Sequence, residues 1–108
     1  MFRIQIELDK DKIINERKYH YEDIVSKIDT IFTVHAGFIK ETDTSYIIDD
    51  NSEELARLMI VNKKLRKANW FVPYVKTWLL YELEDEGQSI LNIEDVKVFY
   101  DNKYKKSA

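Results

Sequence analysis

The sequence predicts an α+β fold, a three-stranded and mostly antiparallel sheet with helices packed on one face. Three observations carry that expectation. Phe2 to Leu8 alternates apolar and polar side chains strictly, as a half-buried strand does. Tyr21, Ile24, Val25, Ile28, Ile31, Phe32 and His35 recur at helical spacing. Between Trp70 and Tyr81 stand both tryptophans, the single proline and five of the fourteen aromatic residues, within a helical arc of roughly 100°.

In order, Phe2, Ile4, Ile6 and Leu8 form one face of the first strand, and Arg3, Gln5 and Glu7 the other. Asp9 to Arg17 is a charged connector that includes Ile13-Ile14 and has the length of a short helix. The helical stripe from Tyr21 to His35 then stops at Gly37. Phe38 to Glu41 and Ser45 to Ile48, separated by Thr42-Asp43-Thr44, read as a hairpin.

Asp50-Asn51-Ser52 offers several N-caps, with Glu54 three residues after Asn51 as a capping box requires. Leu55, Leu58, Met59, Val61 and Leu65 make the apolar side of the next helix, running to about Ala68. The aromatic block is read as a helix with Pro73 in its first turn, where proline is tolerated. Read instead as a strand, it gives the order βαββαβ and a ferredoxin-like sandwich. Glu82 to Gly87 is an acidic loop. Asn92 caps a last helix carrying Ile93, Val96, Tyr100 and Tyr104, and the tail 105–108 is expected to fray.

With 108 residues, the chain makes a single domain able to bury roughly 60–65% of its unfolded surface. Its 44% hydrophobic and 34% charged residues suit a globule, and two glycines with one proline favour helices over elaborate loops. A net charge of −3 argues against strong nonspecific nucleic-acid binding, although a local basic patch is compatible with it. The absence of cysteine excludes disulfides, thiolate zinc sites and a cysteine nucleophile. No apolar run reaches the roughly 20 residues of a membrane span, and a reducing cytoplasm is the expected setting.

Phe2-Arg3-Ile4 with Ile6 and Leu8-Asp9, Lys12-Ile13, Lys18-Tyr19, Ile28-Asp29 with Ile31-Phe32, Trp70-Phe71, Val75-Lys76 with Trp78-Leu79 and Tyr81, and Glu94-Asp95 stand out together as word-like pieces. They resemble a family of small, uncharacterised bacterial cytoplasmic proteins of about this length, associated with mobile-element regions. The resemblance covers most of the chain through packing motifs, and it favours a helix across the aromatic block. It brings no activity and no binding residue.

Chemistry-bearing candidates are few. His20 and His35 lack metal-ligand spacing, so His20 flanks a helix start and His35 packs at a helix end. Asp49-Asp50 follows a predicted strand, where carboxylates can chelate Mg²⁺, yet helix capping explains the pair as well. Arg57, Lys63, Lys64 and Lys67 share an arc of about 120° that suits an anion or nucleic acid, or simply solvent. Phosphate-binding glycine loops, nucleophile elbows and catalytic triads are absent from the sequence, and no cofactor is implied.

The expected function is therefore a non-enzymatic protein-interaction or self-association module. Trp70, Phe71, Tyr74, Trp78 and Tyr81 are its candidate interface, because Trp and Tyr concentrate at binding hot spots. The partner is another protein or a second copy. A nucleic-acid accessory factor using the basic helix face is the alternative, and a metal-dependent enzyme at Asp49-Asp50 a weaker third.

Overall fold

β1 (Phe2–Leu8) forms where its alternation predicts and becomes the central strand of the sheet. The computed structural model describes residues 1–48, 52–84 and 89–98. Asp49-Asp50, the Asn51 cap, Asp85 to Gly87, Phe99, Tyr100, Tyr104 and the tail lie outside the described residues. The architecture is α+β. Among the described residues the sheet has five strands in the order β2-β3-β1-β4-β5, every neighbouring pair antiparallel, where three strands were expected.

The charged connector is a helix, α1 (Lys10–Glu16). Asp9 Oδ1 accepts from the Lys12 backbone N–H at 3.1 Å to start it, and Arg17 ends it in a left-handed conformation at φ 55°. α2 (Tyr21–Asp29) follows, with His20 at its N-cap, and runs on as a π-helical turn, Thr30–His35. The Thr33 hydroxyl donates to the Asp29 carbonyl at 2.6 Å. That competition for a helical acceptor loosens the ladder, and Ala36 N–H reaches back five residues to the Ile31 carbonyl at 3.1 Å. Gly37 then turns the chain at φ 76°, where an L side chain would be strained.

β2 (Ile39–Thr42) and β3 (Ser45–Ile48) form the expected hairpin. α3 (Ser52–Arg66) buries Leu58, Val61 and Leu65. Met59, expected on its apolar side, is exposed beside Ile60.

The aromatic block is the main correction. It is not a helix: Val72–Tyr74 make one 3-10 turn, and β4 (Val75–Leu83) is a strand. β1 has two edges, and β3 satisfies only one of them. β4 satisfies the other along its whole length, from Phe2 opposite Glu82 to Leu8 opposite Val75. That long ladder outweighs local helical periodicity. The same correction applies to residues 90–95, which form β5 (Ile90–Asp95) paired to β4 rather than a helix starting at Asn92. Helix begins only at residue 96, where Asp95 Oδ1 accepts from the Val98 backbone N–H at 3.0 Å.

Since β3 lies between β1 and β2, antiparallel to both, β1 and β2 run parallel with α2 between them in the chain. β3 and β4 straddle β1 in the same way, with α3 between them. Register then fixes the faces. Ile4, Ile6, Tyr46, Ile48, Val75 and Trp78 join one buried cluster with residues of every helix. Arg3, Gln5, Ile39, Ile47, Leu79, Tyr81 and Ile93 point to the opposite face.

At the margin of the core, the Tyr46 hydroxyl donates to Asp29 Oδ1, and exposed Lys40 Nζ donates to Asp29 Oδ2 at 3.0 Å. Burial, then the hydrogen bond and negative charge of Asp29, hold the Tyr46 phenol well above its ordinary pKa. The unfolded chain releases that proton near pH 10, while the folded chain keeps it. Stability should therefore be level up to about pH 9 and fall above about pH 10, by up to about 1.4 kcal/mol per pH unit for this group. Urea unfolding across that range should show the fall, and Tyr46→Phe should reduce its slope. An unchanged slope in the variant contradicts the linkage.

Candidate functional site

The predicted interface residues divide sharply in the folded chain. Phe71, Tyr74 and Trp78 are enclosed, at 0%, 2% and 2% exposure. Phe71 meets Trp78 edge-on with ring centroids 5.1 Å apart, and Tyr74 meets Tyr19 at 5.8 Å. These three rings are core, and only Trp70 and Tyr81 keep part of their surface in solvent. The Tyr74 hydroxyl donates to Glu16 at 3.2 Å. Burial first, then the Glu16 charge, raise its pKa above the ordinary tyrosine value. Tyr81 lies on the open sheet face, donating to Gln5 Oε1 at 3.1 Å.

That open face has a polar centre and aliphatic flanks. Arg3 forks onto Glu41, Nε to Oε1 at 2.6 Å and Nη2 to Oε2 at 3.0 Å. The hydrogen bond to Glu41 raises the Arg3 pKa, which keeps the guanidinium charged. On one side stands Ile39, exposed at the sheet edge on β2. On the other, Leu79 and Tyr81 on β4 are continued by Ile93 on β5.

The sequence reads β5 as the start of a helix because Asn92 imitates an N-cap. Every one of its residues is exposed, including Ile90 at 53%, Leu91 at 59% and Ile93 at 51%. β5 is also the last strand of the sheet, so one row of its backbone N–H and C=O groups faces away from β4.

The basic residues of α3 do not act as one group. Arg57 pairs with Glu53 at 2.7 Å one turn earlier on the helix. Lys63 and Lys64 are exposed in the last turn and Lys67 just beyond it, a location the helix dipole favours. No ion pair to these three lysines occurs among the described residues.

His35, expected within the apolar stripe, is exposed instead. The wider π-helical turn advances less per residue and rotates it off the buried side. Neither histidine belongs to a metal-binding group among the described residues, and Asp49-Asp50 lies outside them. No helix of the described residues is long and apolar enough to cross a membrane. Protein-family models give no match to this chain, and curated proteins give no significant relative.

Proposed function

We propose that this chain is a non-enzymatic interaction module that associates with a second copy through β5 and the adjoining open sheet face. The single observation that supports it most is an edge strand exposed along its whole length with three large aliphatic side chains. About half of each side chain faces water, forgoing roughly half of the 1.5–3 kcal/mol that full burial gives.

A second β5 is a suitable occupant. Antiparallel pairing about a two-fold axis at Asn92 sets Leu91 of one copy opposite Ile93 of the other, and Ile90 opposite Glu94. No carboxylate then faces a carboxylate. The paired strands would extend the Leu79, Tyr81 and Ile93 stripe across the axis. On this reading the protein elaborates a ferredoxin-like core, β1-α2-β2-β3-α3-β4, with β5 as the added element that makes contact. Its lack of cysteine suits a cytoplasmic setting.

Ile93→Lys should separate the copies without unfolding them, because Ile93 is exposed in the single chain. Both copies carry the change, so the dissociation constant is expected to rise roughly 100-fold. Sedimentation velocity across a concentration series reads this directly, with circular dichroism as the check on folding. A wild-type chain that stays monomeric at the highest concentration reached would end this reading.

The exposed Lys63, Lys64 and Lys67 support a second reading, nucleic-acid binding through the end of α3.

A further inference from the structure

The geometry points to a binding track for single-stranded nucleic acid along the exposed side of α2, lined by neither β5 nor Lys63, Lys64 and Lys67 of the α3 end. Three concavities meet end to end there. The first, of about 240 Å³, lies between Trp70 and the π-helical turn. The second, about 330 Å³, shares Ser26 and Lys27 with it. The third, about 380 Å³, shares Tyr19 and His20 with the second and reaches α1. From Tyr21 to His35 the helix alone spans about 20 Å, room for several nucleotides.

Among the lining residues, cations and aromatic rings stand out. Lys10, Arg17, Lys18 and Lys27 supply four cations against the two acids Glu22 and Asp23. The groove is thus locally positive in a chain of net charge −3. Tyr19, Tyr21 and Trp70 supply three rings that are neither fully buried nor fully exposed.

Cations and rings are interleaved. Lys18 Nζ lies 5.9 Å from the Tyr19 ring centroid, Lys10 Nζ 4.8 Å from that of Tyr21, and Lys27 Nζ 5.3 Å from that of Trp70. All three contacts lie within the about 6 Å over which a cation is drawn to a ring face, and all three line the one groove. An exposed ammonium is held weakly over a ring. Each lysine can swing to a phosphate and leave its ring to receive a base, which is the arrangement single strands use.

This chemistry selects the occupant. A duplex keeps its bases stacked on one another and gives the three rings nothing to receive. An acidic peptide would use the lysines alone. A single strand uses both.

Fluorescence anisotropy with a labelled oligothymidylate of about 12 nucleotides tests the proposal. At low salt the dissociation constant is expected near 1–100 μM, with a log–log salt slope no steeper than about −3 for four cations. The double variant Lys18→Glu/Lys27→Glu changes only exposed side chains, and should weaken binding at least about tenfold with its circular dichroism unchanged. The triple variant Lys63→Ala/Lys64→Ala/Lys67→Ala should lose less than the groove variant does. Oligothymidylate should also quench emission from Trp70, whereas inorganic polyphosphate, which has charge but no bases, should not. Absent binding, a loss in the α3 variant equal to or above that in the groove variant, or equal quenching by polyphosphate overturns the proposal.

Discussion

Replacing Trp78 with alanine is expected to destabilise the domain by about 3–5 kcal/mol, much of the 5–15 kcal/mol that a domain of this size has. Trp78 is 2% exposed, lies opposite Ile6 in the β1–β4 ladder, and receives Phe71 edge-on. Its removal leaves a cavity where two central strands meet the helices, and strands held by ladders on both sides collapse poorly into such a space. Urea unfolding followed by far-ultraviolet circular dichroism would measure the loss. A hot-spot role makes the opposite forecast: association lost, stability kept. The contrast with Ile93→Lys, for which that second pattern is expected, makes the pair of variants decisive.

Phe32→Ala should cost a similar amount, about 3–5 kcal/mol, from the other end of the core. Phe32 is fully buried, stacked on Tyr46 at 4.6 Å and edge-on to Phe38 at 5.3 Å. It stands in the π-helical turn, so it ties that irregular segment to β3 and to the chain just after Gly37. Its loss also loosens the packing that holds the Tyr46 hydroxyl on Asp29. The melting temperature should fall by roughly 15–30 °C, read by calorimetry. A fall of only a few degrees would mean that Phe38 and Tyr46 close the gap unaided.

Much of this architecture is legible in the sequence because local and tertiary preferences agree. β1 alternates and is buried on its apolar face. The 39–48 hairpin has its turn residues, and α2 and α3 have apolar stripes. The second half is where they disagree. Trp70, Phe71, Tyr74, Trp78 and Tyr81 cluster on a helical wheel, yet Val75, Thr77, Leu79 and Tyr81 also alternate. Nothing within that window records that β1 has a free edge some seventy positions earlier. The β-branched residues and the proline were the available signal. At β5, Asp95 does cap a helix, but one that begins after the strand instead of replacing it.

The candidate surfaces were harder still to read. Lys18 and Lys27 are unremarkable in one dimension, Trp70 stands out only as a member of the aromatic block, and only folding brings Trp70 onto Lys27. The basic face of α3 was legible because a helix keeps neighbours at fixed spacing. A groove that collects residues from α1, α2 and the turn before β4 is not.

The central position of β1 has a consequence during protein synthesis. Of the five described strands, β1 is made before the others, and its partners come later: Tyr46 and Ile48 on one edge, Trp78 and Leu80 on the other. At about 5–20 residues per second, Phe2, Ile4, Ile6 and Leu8 wait roughly 4–15 s for the second of those partners. Nascent chains halted before β4 should therefore hold chaperones or clump, and chains halted beyond it should resist protease.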